Sequence, residues 1–140
     1  MRFLSFHCEH FGYKTTKRSR SKVFEELTEE NKEQVIENAL LLLISIEKQD
    51  ETSSFVIDKS IKEIEKITNQ LKVSNIVLLS FAHLFGELSS PEFGLESLKT
   101  LSIKLETRGF KVIRSPFGWF NELDIKAKGH PLSRISRIID

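Results

Sequence analysis

The chain has 140 residues, 29% of them charged, with a formal net charge of +1. That length suits one domain, residues 1–140, with one proper core, and the near-neutral balance excludes a global field steering the chain toward nucleic acid. No apolar run nears the ~18 residues of a membrane span, and a lone cysteine, Cys8, excludes an internal disulfide and suits a reducing compartment. The opening MRFLSFHC lacks a basic region followed by a long apolar stretch, so no secretory signal is read and the cytoplasm is expected.

Met1 to Cys8 reads as a short buried strand, with Phe11 to Thr16 as its hairpin partner after a turn near Gly12. Lys14, Lys17, Arg18, Arg20 and Lys22 follow without an acid between them, and Lys14–Lys22 reads as a loop. Ala39 to Ile46 is almost unbroken Leu and Ile. This predicts a central strand buried on both faces, against a competing helix that would begin within Glu29–Asn38.

Ser53 or Ser54 is placed to cap a helix running to about Lys72, with Ile57, Ile61, Ile64, Ile67 and Leu71 as its apolar stripe and Asp58–Lys62 as an i,i+4 pair on the wet side. Asn75–Phe81 predicts another buried strand. A second helix has Ser90 as cap and Pro91 in the first position. Leu95, Leu98, Ser102 and Leu105 form its stripe, and Gly109 ends it. Phe110–Arg114 and the loosely alternating Trp119–Lys128 read as strands, and Leu132–Ile139 as a last short strand or helical turn. Single helices linking buried strands point to an α/β fold with some antiparallel pairing.

Several groups invite chemistry. In the run His7–His10, a strand would send His7 and Glu9 one way and Cys8 and His10 the other, two ligands per face where a structural zinc needs four. No metal is therefore expected; Cys8 reads as a small core residue and His10 as a surface turn residue. His83 follows a buried strand, a common ligand position in α/β folds, although a lone histidine there is also an ordinary structural residue. Glu87 would reach it across one helical turn. Phosphate loops, dinucleotide fingerprints and nucleophile elbows are absent, and no cofactor is read.

The stretch PFGWFNELDIKAKGHP, Pro116 to Pro131, concentrates backbone constraints. Pro116 fixes one φ, Gly118 permits a turn, and Phe117, Trp119 and Phe120 gather there, either as core or as faces for a base to stack on. Gly129 and Pro131 close the ribbon, where Lys128 and His130 offer donors. The basic residues from Lys104 to Arg137 outnumber the acids Glu106, Glu122 and Asp124, so this stretch, like Lys14–Lys22, is either a solvated face or a phosphate-facing one.

Three ordered blocks carry a family resemblance across essentially the whole chain: "FAHL..EL" at Phe81–Leu88, "RGF.V...PFG" at Arg108–Gly118 and "KGHPL...SR" at Lys128–Arg137. Together with His7 they resemble the N-terminal editing domain of archaeal-type threonyl-tRNA synthetases. The resemblance implies a D-aminoacyl-tRNA deacylase-like α/β fold, a mixed β-sheet with two main helices. It implies hydrolysis of serine wrongly esterified to threonine tRNA, with a hydroxyl of the terminal ribose helping to activate the attacking water. By the same resemblance main-chain groups near Ile46 and Ala82, beside Phe81, hold the amino acid, Phe117 meets the terminal adenine and His83 lies by the seryl group. Gly118, Trp119, Phe120, His7, Lys128, His130 and Arg134 complete the expected substrate-binding set. The implied partners are threonine tRNA, a second copy of the chain and the catalytic part of the synthetase.

Two positions depart from the family pattern: Phe120-Asn121 stands where Tyr-Lys is common, and Arg134 where an acid is common. Asn121 cannot ionise, so its expected catalytic role is to orient water. A D-aminoacyl-tRNA deacylase and a non-catalytic tRNA-binding or dimerisation module are the alternatives.

Overall fold

The computed structural model describes residues Met1–Asp140. Its first element, β1 (Arg2–Arg18), is one long strand, and no turn interrupts it at Gly12. The expected hairpin is thus replaced by a register shift between Cys8 and His10, where β1 pairs with β5 (Trp119–Ala127). Side chains alternate along a strand, so Cys8 and Phe11 would otherwise face opposite ways. The extra residue restores the parity, and Cys8, Phe11 and Tyr13 share one core. The same continuity puts His10 in the strand rather than a turn, with Nε2 3.2 Å from Asp124 Oδ2. It also carries Lys14–Arg18 into β1, so the irregular segment begins only at Ser19.

β2 (Glu33–Ser45) is longer than expected, and the competing helix over Glu29–Asn38 does not form. It lies antiparallel to β1 and parallel to β3 (Asn75–Ser80), which in turn is parallel to β4 (Lys111–Arg114). The sheet order is β4-β3-β2-β1-β5, with β6 (Arg134–Ile138) pairing the start of β1. The apolar run of β2 is buried on both faces: Leu40, Leu42 and Ile44 point into one core, Ala39, Leu41 and Leu43 into the other.

Both helices cover the first of these faces. In α1 (Val56–Leu71) the buried stripe is Ile61, Ile64 and Ile67. No serine caps it, because Phe55 occupies the N-cap, and Asp58 reaches across to Lys104 at 2.7 Å instead of pairing with Lys62. In α2 (Pro91–Thr107) the Ser90 hydroxyl accepts from the Phe93 amide, Pro91 sits in the first turn, and Leu98, Leu101 and Leu105 are buried. Each such fully buried aliphatic side chain contributes ~1.5–3 kcal/mol. The opposite core carries no helix and is closed by Leu4, Phe6 and Phe81. The mixed β-sheet with two main helices is as expected.

Candidate active site

β2 and β3 run parallel and end together, and the chain leaving each must turn away there. The gap outside such strand ends is where α/β folds form crevices. Here it is a cavity of about 600 Å³, bounded by Ile44–Ile46, Leu79–His83, the start of α2 and the segment Ser115–Asn121. That volume suits a small-molecule moiety.

Main chain shapes one side. The Phe81 amide donates to Ile44 O at 2.8 Å, the Ser45 hydroxyl donates to Phe81 O, and the Ser89 amide donates to Ile46 O at 3.0 Å. These bonds hold the Phe81–Ser89 connection against the end of β2. His83 is exposed at the rim, its ring edge-on to Phe81 with centroids 5.4 Å apart. The segment makes no helical turn, and Glu87 pairs with Lys48 at 3.1 Å rather than reaching His83.

The opposite wall is Phe117, Gly118, Trp119, Phe120 and Asn121. Asn121 Oδ1 accepts from Thr15 Oγ1 at 2.8 Å, which fixes the amide across the β1–β5 pairing. Gly118 has φ +86, and an added Cβ would lie 2.7 Å from Val23 O. The backbone of Ser19–Glu25 therefore presses directly on this turn and forms a strap across it.

Glu25 latches the strap. Its carboxylate accepts from Arg114 Nη1 and Nη2 at 2.5 and 2.7 Å and from the Phe117 amide at 3.0 Å. Its carbonyl accepts from the Trp119 indole at 2.7 Å, and its amide donates to Phe117 O at 3.0 Å. Burial raises the Glu25 pKa, but the bonds from Arg114 and Phe117 outweigh it and leave the carboxyl below the ordinary range.

Of the expected site residues, Ile46, Phe81, Ala82, His83 and the run Phe117–Asn121 line this cavity. His7, Lys128, His130 and Arg134 do not. The first three meet elsewhere, because His7 lies mid-β1 and the ribbon after β5 folds back over it: the Lys128 amide donates to His7 O at 2.8 Å. The Leu132 amide donates to His130 Nδ1 at 3.2 Å, so the proton of His130 sits on Nε2, 2.9 Å from His7 Nδ1. His7 then carries its proton on Nε2 and donates to Asn38 Oδ1 at 3.0 Å, an oxygen that Lys128 Nζ approaches at 3.4 Å. This chain of bonds is complete only with both rings neutral. Burial chiefly holds the His7 pKa below its ordinary value, against the Asn38 bond, with Lys128 and His130 adding to the depression.

Arg134 lies exposed on β6, opposite Phe6, with Nη1 3.3 Å from the Ser133 hydroxyl. The His7–His10 run gathers no ligand set. Burial pushes the Cys8 thiol up to about 11, so it is neither thiolate ligand nor nucleophile at neutral pH.

The family model of the archaea-specific editing domain of threonyl-tRNA synthetase matches residues 1–139. The chain belongs to that family. Proteins named threonine–tRNA ligase share its sequence: 37% identity over 140 residues in Methanosphaera stadtmanae, 39% in Methanocaldococcus jannaschii and 41% in Staphylothermus marinus, in each case over 99% of this chain. The chain spans about 22% of the length of these relatives. A solved structure, the c-Myc DNA unwinding element binding protein, shares the fold at a TM-score of 0.68 with 11% identity, covering 100% of this chain and 99% of that one.

Within this editing-domain family member, sequence reasoning missed the strap and its latch. Glu25 and Arg114 stand 89 residues apart, and no local spacing links them. The one sequence cue near the latch is Gly118, and it reads only as a position that permits a turn.

Proposed function

We propose that the cavity is a proofreading site that hydrolyses the seryl ester at the 3′ end of threonine tRNA. Threonine exceeds serine by one methyl, and a pocket sized for the larger amino acid rejects the smaller only ~10–200-fold, so fidelity needs a second, hydrolytic site. The observation that carries the reading is a cavity of about 600 Å³ walled by peptide groups on one side and by aromatic rings on the other, in a chain of the editing-domain family.

In this reading main-chain groups at Ile46 and Ala82 hold the seryl moiety, and Phe117 meets the terminal adenine. A water oxygen attacks the ester carbonyl carbon, the carbon–oxygen bond to the ribose breaks, and the ribose oxygen takes a proton, releasing serine. The adjacent ribose hydroxyl assists the water, His83 serves proton movement at the ester, and Asn121 orients the water without ionising. No metal or cofactor enters. The protein works as a homodimer beside the catalytic part of a synthetase in the cytoplasm, and the exposed Arg134 is then available to a second copy rather than to the cavity of its own chain.

Deacylation of seryl- and threonyl-tRNA(Thr), each also with a terminal 2′-deoxyadenosine, tests this. Loss of serine, survival of threonine and protection by the deoxy end are expected. Survival of both esters at the spontaneous rate removes the reading in favour of a non-catalytic module, and cleavage of D-aminoacyl esters alone favours a D-aminoacyl-tRNA deacylase.

A further inference from the structure

The two basic stretches of the chain meet different fates. In the C-terminal stretch Lys104 pairs with Asp58, Arg108 with Glu65, Arg114 with Glu25, Lys126 with Glu9 and Arg137 with Glu63. Those charges are largely spent on carboxylates. Lys17, Arg18, Arg20 and Lys22 are all exposed, and none has a carboxylate partner. Lys111, Lys128 and Arg134 of the C-terminal stretch are also without a carboxylate but are scattered, so the densest unneutralised positive charge lies at the end of β1 and on the strap.

The strap also borders the cavity. Ser19 and Ser21 line it, and the Ser19 amide donates to Gly118 O at 3.0 Å. The Glu25 latch and the close approach to Gly118 hold this backbone in place, so the strap that carries Arg20 and Lys22 is a fixed rim. Exposed aromatic rings lie on the strap and on the cavity wall. Phe24 is 42% exposed under the Arg18 guanidinium, which lies 3.5 Å from its ring centroid, and Phe120 is 54% exposed. Exposed cations and an exposed ring beside one cavity are the elements that hold single-stranded nucleic acid: phosphates on the cations, bases on the ring.

We infer that Lys17, Arg20 and Lys22 hold the phosphates of the single-stranded RNA leading into the cavity, with the exposed Phe120 as the stacking surface. The inference rests on the acceptor-end reading of the cavity and adds the path by which the RNA arrives. It uses charges that leave Arg18 free to pack on Phe24. Binding along this rim is independent of base sequence, because phosphate contacts carry none.

The test measures binding of a labelled hairpin RNA with a short 3′ overhang ending in unesterified adenosine, as a function of salt. The proteins are the wild type, the triple variant K17Q/R20Q/K22Q, and a control of equal charge change, K62Q/K66Q/K111Q, whose lysines are exposed on α1 and β4. Three phosphate contacts on a single strand add ~0.7 each to the log–log slope, about 2 together. Wild type is therefore expected to lose about 15- to 20-fold more affinity than the triple variant between ~50 and ~200 mM salt, and the control to follow wild type. Equal slopes for wild type and the triple variant overturn the inference. So does an equal loss in the control, and so does binding of a blunt hairpin or of an acidic peptide as tight as that of the overhang. A non-hydrolysable seryl-adenosine mimic, assayed separately, reports on the cavity alone. Failure of the mimic with a changed RNA slope removes the proofreading reading and leaves the RNA track, and the reverse result removes the track and leaves the cavity.

Discussion

Glu25 and Arg114, 89 residues apart in sequence, meet as a two-point ion pair at 2.5 and 2.7 Å beside the cavity wall. The same carboxylate caps the Phe117 amide, so one side chain joins the strap to β4 and to the turn that carries the aromatic wall.

Glu25→Gln keeps the shape but leaves Arg114 without its counter-charge in a partly buried place. A fully buried broken pair costs ~3–5 kcal/mol; with this exposure about 1–3 kcal/mol is expected in denaturant unfolding. The pKa of Glu25 is depressed in the folded state. Its contribution is therefore complete above the unfolded value near 4.5 and disappears as pH falls through the folded value. The melting temperature of the variant should accordingly fall less than that of wild type between neutral and acidic pH; parallel curves would sink the latch.

Gly118→Ala adds a methyl at φ +86, 2.7 Å from both Val23 O and Phe24 Cβ. The backbone on the other side cannot give cheaply, and the left-handed conformation itself opposes a side chain. A loss of about 2 kcal/mol or more is expected, along with weaker binding in the cavity. Unchanged unfolding would show that the strap does not press on this turn.

His83→Ala should separate chemistry from stability. The residue is exposed, so the melting temperature should hold within the ordinary surface range of about ±0.5 kcal/mol. Single-turnover hydrolysis of the seryl ester should drop ~10²-fold or more if the imidazole moves a proton. An unaltered rate would reassign the step to the ribose hydroxyl and the main chain. Thr15→Val, which frees the Asn121 amide without touching substrate, should lower the rate while the pH profile stays in place.

His7 makes a pH-dependent contribution of its own. Its folded pKa lies below the ordinary 6.5, so the unfolded chain takes up the proton first as pH falls. Stability from this residue is complete above about 6.5 and declines toward the folded value. Lys128 and His130 face the same ring and sharpen the penalty for a second positive charge. His7→Asn should flatten the wild-type fall in melting temperature between about pH 7 and pH 5. An undiminished fall in that variant would place the sensitivity elsewhere.

Much of the fold was legible because its signals are local. The unbroken Leu-Ile run of β2 and the capped, striped helix α2 bury their own residues, and their patterns follow from that burial. The errors fall where a distant partner overrides a local cue. Gly12 suggests a turn, yet pairing with β2 on one side and β5 on the other keeps β1 straight through it. Asp58 and Lys62 have the spacing of a helical pair, yet Lys104 on the neighbouring helix competes and wins.

The candidate site divides in the same way. The cavity residues Phe81–His83 and Phe117–Asn121 form compact blocks of sequence, and each block travels together to the cavity. His7, Lys128, His130 and Arg134 belong to equally visible blocks, but the register of the strands decides where those blocks go. β6 pairs with the start of β1, and the ribbon before it closes over His7 instead of the cavity.

The sequence alone determined the strands buried on both faces, the ends of α2 and the family, because each depends on residues near one another or on their order. Only the tertiary structure decided which basic residues remain unpaired, that Glu25 holds a strap against the aromatic wall, and that two histidines share one proton-ordered chain of bonds. Charge pairing and hydrogen bonding act over a few ångströms of space, and chain order does not measure that distance.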